Sequence, residues 1–239
     1  MVETSRKRTP EEYLRDCQAE EDAASRGRLK VFLGYASGVG KSERMLREAR
    51  RRRERGQHLA IAALQPKTPP EVLAILDGMP VIPTRTVHGR DVIDVDALLD
   101  RRPSVCVIDG LAYDNPPGSR NAARWQDAQM LLAAGISVIG SVNIQYIAEF
   151  REEVEAITGK SVRETVPLEF LKTADEIELV DAPAERMGED PRRLAKLREI
   201  ALVAAADVVD QQLSGYLRAH GIDQTPGAQE RILICLTPR

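Results

Sequence analysis

Between the apolar run Lys30-Val31-Phe32-Leu33 and the charged stretch ERMLREARRRRER lies GYASGVGKS, residues 34–42. A strand that turns through glycines into a helix beginning Lys-Ser matches the end of the phosphate-loop pattern G-x-x-x-x-G-K-[ST]. The glycines let successive backbone N–H groups curl around an anion, and the N-terminus of the following helix adds a favourable dipole. On this reading Gly34, Gly38, Val39 and Gly40 shape the cradle, Lys41 neutralises the β- and γ-phosphates, and the Ser42 hydroxyl ligates Mg2+. Tyr35 stands where Gly or Ala is usual, six residues before Lys41, and is expected to crowd the loop. The bland alternative is an ordinary glycine-rich turn.

The rest of the chain alternates short apolar runs with helical patterns. Strands are expected at KVFL (30–33), HLAIAAL (58–64), MPVIP (79–83), SVCVID (104–109), ISVIGSV (136–142) and EIELVD (176–181). Helices are expected around Pro10 to Ala24, Ser42 to Arg55, Pro70 to Leu76, in VDALLD, from Arg124 to Ala134, and from Pro191 to Leu217. Strands apolar throughout, rather than alternating, suit a parallel sheet covered on both faces. The fold class is therefore α/β, a phosphate-loop NTPase-like three-layer fold with a mostly parallel sheet and helices on both faces. The polar, mixed-charge residues 1–27 read as an N-terminal arm, residues 28–220 as the nucleotide-binding domain, and 221–239 as a linker plus a strand opening a further domain.

Composition narrows the partners. The chain of 239 residues carries 34 Lys+Arg against 37 Asp+Glu, which gives no global attraction to nucleic acid or to a membrane surface. Aromatics at 4% make base-stacking platforms an unfavoured reading. The seven arginines after the loop are interleaved with Glu43, Glu48 and Glu54, as on a solvated helix face. No apolar stretch approaches the ~20 residues that span a bilayer. Cys17, Cys106 and Cys235 lack metal spacing, and the last two sit in strand-like runs, as in a reducing, cytoplasmic protein.

Chemistry beyond the loop is carried by few residues. A phosphate loop needs an Asp at the end of a buried strand for the Mg2+ shell, and Asp109 supplies it, expected beside the loop. A hydrolase commonly places a Glu next to that Asp to polarise the attacking water, but here Gly110 follows. Arg120, in a Pro-Gly-Ser turn, is placed either to reach a phosphate or to bridge surface charges. Asn143 ends a strand, where it senses a γ-phosphate or caps the next helix, and Trp125 reads as core packing. No residue is assigned a catalytic role.

Four stretches extend the pattern: QAEEDAASRGRLKVFLGYASGVGKS, DNPPGSRNAARWQDAQMLLAAGISVIGSVNIQYI, TGKSVRETVPLEFLKTADEIELVDAP and LREIALVAAADVVDQQL. Through them the chain, from about Pro10 to Arg239, resembles the N-terminal cytoplasmic region of the KdpD sensor histidine kinases, which respond to potassium and osmotic stress. The resemblance implies a regulatory nucleotide-binding domain, followed in the family by a universal-stress-protein-like domain, membrane helices and the kinase core. RILICLTPR resembles the first strand of that second domain.

The chain departs from the family at four places. Leu64 to Pro69 replaces V-E-T-H-G-R, Gly110 replaces Glu, Tyr113-Asp114 replaces His-Thr, and Tyr146 replaces His. Acidic and imidazole groups go, while Lys41, Ser42, Asp109, Arg120 and Asn143 stay. The expectation is a module that binds ATP or another nucleoside triphosphate with Mg2+ and hydrolyses it weakly or not at all. Its expected partners are the nucleotide and a sensor kinase or other regulatory protein, with a homodimer left open, and no nucleic acid or direct membrane insertion. An active ATPase or phosphotransferase, and a stand-alone adaptor for a sensor kinase, are the alternatives.

Overall fold

The computed structural model describes residues 25–182 and 190–219. The expected first helix, Cys17, Cys235, the 221–229 linker and the terminal strand lie outside the described residues. The main sheet has five strands: β1 (Leu29–Gly34), β2 (Leu59–Ala63), β5 (Val105–Ile108), β6 (Ser137–Asn143) and β7 (Glu176–Val180). Every pairing in it is parallel, in the spatial order β2-β5-β6-β1-β7. β1, β2 and β5 are buried along their whole length, so the sheet is covered on both faces, as continuous apolar runs require.

The covering helices are α1 (Lys41–Glu54), α2 (Pro70–Leu73), α3 (Val95–Arg101), α4 (Arg124–Ala133), α5 (Arg151–Thr158), α6 (Leu168–Lys172) and α7 (Pro191–Ala219). In α7 the buried positions Leu194, Leu197, Ala201, Ala204 and Val208 recur every three or four residues, the stripe by which a helix docks on a core. That stripe packs α7 against β7, α5 and α6.

Three features differ from the sequence expectation. MPVIP is not a sheet strand; Val81 makes a single bridge to Ile61. Pro80 and Pro83 flank that bridge, and proline has no N–H to extend a ladder. A hairpin unread in the sequence, β3 (Arg85–Val87) with β4 (Arg90–Val92), is closed by His88-Gly89, both at positive φ, 47° and 74°. Such a two-residue turn matches the twist of the strands it joins. Finally, β6 stands between β1 and β5, so Asp109 is one strand removed from the glycine loop rather than directly beside it.

Charge on α1 is locally matched, as the interleaved glutamates predict: Arg47 pairs with Glu43 and Arg52 with Glu48. Lys30 on β1 is nearly buried and meets Glu48, Glu176 and Glu178 at 2.7, 2.6 and 3.0 Å. Burial pulls the Lys30 pKa down, but the three carboxylates outweigh it and hold the ammonium above its ordinary value. Replacing Lys30 by Met removes the cation the three carboxylates share, leaving Glu48 to Arg52 and Glu178 to Arg44. The expected loss is about 1–2 kcal/mol, read as a lower urea midpoint at unchanged slope.

Candidate functional site

The loop leaves the carboxyl end of β1, where parallel α/β sheets place their binding crevices. Gly38 and Gly40 sit at φ 82° and 93° with open space where a Cβ would be. Backbone conformation, not room, therefore fixes glycine at both positions. Gly34 has the opposite reason. A Cβ there would stand 2.7 Å from Lys41 Cδ and 2.8 Å from Nζ, because the Lys41 side chain folds back across it. Gly34→Ala is thus expected to displace the ammonium and weaken any anion it holds, measured by calorimetric titration.

Lys41 is 5% exposed, and its Nζ donates to the Ala36 carbonyl at 3.3 Å. It has no salt-bridge partner among the described residues. Burial pushes its pKa down to about 8, opposed by the charge of Asp109. A buried cation of this kind faces a cleft of about 610 Å³ whose lining includes Ser37, Ser42, Gln65, Lys67, Tyr113 and Asn143.

Asp109 stands behind Gln65, outside the lining of the cleft. It is fully buried, and its Oδ1 accepts from the Gln65 amide at 3.1 Å and from the Ser141 hydroxyl. Ser141 in turn accepts from the Gly110 N–H at 3.0 Å, so its orientation is fixed. Asp109 Oδ2 and Asn143 Oδ1 are buried without a partner. Unpaired buried acceptors are costly, and sites that keep them commonly await a ligand group. The Asn143 side chain does not cap the following turn; it lines the cleft.

The structure brings together Gly38, Gly40, Lys41, Ser42 and Asn143 at the cleft, with Gly34 under Lys41 and Asp109 behind Gln65. Val39 is buried with its side chain against Gly34 and supplies backbone only. Arg120 is not brought there. It is exposed and ion-paired with Asp96, beside the hairpin. Tyr35 does not crowd the loop either. Its ring is buried and its hydroxyl donates to the Ala182 carbonyl at 2.8 Å, which turns it toward the end of β7. Gln65, Ser141 and Tyr113 were not singled out as site residues in the sequence. For Gln65 the available signal was its place at the end of β2, where the resembled family carries Glu.

Among the described residues no group of three or more His, Cys, Asp or Glu side chains is arranged to hold a metal unaided. A hydroxyl, a free carboxylate oxygen and room for anions instead suit a hard cation that keeps most of its waters. No helix among the described residues is long and apolar enough to cross a membrane.

Fold and site together define a parallel-sheet α/β domain with a glycine loop and a polar cleft at the carboxyl edge of its sheet. Residues 25–193 match the family described as the KdpD osmosensitive K+ channel His kinase sensor domain, and the chain belongs to that family. It is 42% identical over 203 residues to the sensor protein KdpD of Mycobacterium tuberculosis, covering 83% of this chain and 23% of that protein. Against the sensor protein KdpD of Escherichia coli it is 38% identical over 239 residues, covering 90% and 27%. With that of Clostridium acetobutylicum the identity is 34% over 254 residues, covering 95% and 28%. The chain thus spans about a quarter of the length of these relatives.

Proposed function

We propose that this domain is the nucleotide-binding input module of a potassium- or osmosensitive two-component sensor, holding MgATP or a related triphosphate with little turnover. The observation that carries the reading is Lys41: a buried ammonium with no carboxylate within ion-pairing distance among the described residues, pointed at a cleft beside a loop of left-handed glycines. Desolvating a cation without a counter-ion is expensive, and polyphosphate supplies the missing charge. The loop amides and Lys41 hold the phosphates, and the Asn143 side chain is at hand for the terminal one. Ser42 and the free Asp109 oxygen orient the Mg2+ shell. Mg2+ supplies neutralisation of the charge shared between phosphate oxygens.

Slow turnover follows from what surrounds Asp109. Gly110 offers no base, Gln65 offers an amide, and the nearby Asp114 is exposed on the far side of Tyr113. Occupancy then matters through differential affinity for two conformations, read by a kinase segment or a second copy in the cytoplasm. Calorimetry tests the reading directly. Wild type is expected to bind MgATP and Lys41→Ala to bind it about 30-fold or more weakly, with phosphate release by wild type no faster than by the variant. Absence of MgATP binding to wild type overturns the proposal, and release well above the variant's overturns its second half.

A further inference from the structure

A second cavity, of about 550 Å³, opens at the same edge of the sheet and shares only Pro66 and Tyr113 with the loop cleft. Arg124, the first residue of α4, lies on its wall and is 8% exposed. Its Nη1 donates to the carbonyls of Asp109 at 2.9 Å and Leu64 at 3.5 Å, and the guanidinium lies over the Tyr113 ring at 4.7 Å. None of these partners carries a negative charge.

None of the carboxylates that feel Arg124 forms an ion pair with it among the described residues, and most of their oxygens are committed elsewhere. Asp109 turns its Oδ1 to Gln65 and Ser141, and Asp127 gives its oxygens to Asn115 and Asn121 at 2.8 and 2.7 Å. Glu164 stands 3.8 Å from Arg90. Burial accordingly lowers the Arg124 pKa, against the pull of those groups. An almost fully desolvated guanidinium without an ion pair, on the wall of a cavity, is half of an anion site.

The remaining lining selects among anions. Val81, Ile82 and Pro83 make one side apolar, and Asp91 and Asp114 stand exposed at the rim beside Arg90. Two carboxylates at the mouth repel a polyphosphate, but they accept hydrogen bonds from sugar hydroxyls, as acidic side chains do from ribose in dinucleotide sites. We infer that this cavity binds a ribose 5-phosphate unit, free or within a mononucleotide, with the phosphate on Arg124 and the hydroxyls toward Asp91 and Asp114. The site is separate from the loop cleft and does not depend on the loop holding nucleotide.

The test is calorimetric titration of the full chain with AMP, ribose 5-phosphate and adenosine. Wild type and Lys41→Ala are expected to bind AMP equally, with adenosine at least about tenfold weaker because it lacks the phosphate. Val81→Asp adds a third carboxylate without touching the Arg124 contacts and is expected to weaken AMP about tenfold or more. Arg124→Lys, checked for folding by circular dichroism, is expected to lose affinity similarly. Equal affinity for AMP and ribose 5-phosphate identifies the free sugar phosphate as the ligand class, and a clear preference for AMP identifies the mononucleotide. Failure of both ligands to bind overturns the inference. So does adenosine binding as tightly as AMP, loss of AMP binding in Lys41→Ala, or unchanged binding in Val81→Asp. Lys41→Ala separates the two sites, because the loop proposal fails on MgATP and this one on AMP.

Discussion

Lys41→Met is expected to weaken MgATP binding about 30- to 150-fold and, in the unliganded protein, to remove a rise of stability with pH that wild type shows between about pH 8 and 10.5. The pKa of Lys41 is about 8 in the fold against an ordinary 10.5. Between those values the unfolded chain binds more protons than the folded one, so unfolding becomes less favourable as pH rises. Below pH 8 both states are protonated and the fold carries the full cost of the buried charge. The difference amounts to at most about 3 kcal/mol, and subtracting the methionine variant's profile from that of wild type isolates it. Urea titrations at a series of pH values check it; parallel profiles would show that the ammonium is better solvated than its surroundings suggest.

The same group gives binding a pH dependence. Polyphosphate beside Lys41 raises its pKa again, so at pH above 8 each binding event takes up a proton. Affinity for MgATP should therefore fall as pH climbs from 8 toward 10, by up to about tenfold per unit. Titrations in buffers of different ionisation enthalpy measure the proton directly. Removing the cation altogether forfeits charge-assisted hydrogen bonds of about 2–3 kcal/mol, enough to weaken the ligand about 30- to 150-fold.

Restoring a carboxylate beside Asp109 by Gly110→Glu is expected to destabilise the protein rather than create a hydrolase. Gly110 adopts φ 77°, and a Cβ there would lie 2.5 Å from two carbons of the Tyr113 ring. The left-handed backbone costs a non-glycine residue about 1 kcal/mol, and the overlap adds about 1–3 more. Tyr113 cannot swing away freely, because the Arg124 guanidinium lies over its face. Gly110 and Tyr113 thus form a matched pair, with the ring occupying the space a side chain at 110 requires. A double-mutant cycle with Tyr113→Ala is expected to return a favourable coupling of about 1–2 kcal/mol, since the truncated partner makes room. Additive effects in thermal melts would disprove the pairing. Phosphate release from Gly110→Glu alone should stay at the level of Lys41→Ala.

Much of the frame was legible because its signals are local. Wholly apolar runs marked β1, β2, β5 and β6 as buried parallel strands, and a glycine loop ending in Lys-Ser placed α1. The order of the strands was not legible, since nothing local in SVCVI or SVIGSVN says which of them lies next to β1. That order puts Asp109, expected beside the loop, on the strand beyond β6. The hairpin hid behind His88-Gly89, where histidine takes a left-handed position more familiar for asparagine. Arg120 misled because a basic residue before a helix can serve a phosphate or an aspartate equally well. Asp96, which decides the matter, lies 24 residues earlier in the chain. Arg124 matters through tertiary neighbours alone, and periodicity is blind to those.

The Tyr35 hydroxyl ties the residue that opens the glycine loop to Ala182, and Asp181 next to it is ion-paired with Arg198 on α7. A helix of 29 residues is a rod of about 43 Å, tied here near its first turns and again where the Gln212 amide donates to the Ala174 carbonyl at 2.7 Å. A shift of Tyr35 at the mouth of the loop is thus passed through Ala182 and Asp181 to the start of α7, which moves with the sheet edge that holds it at two points.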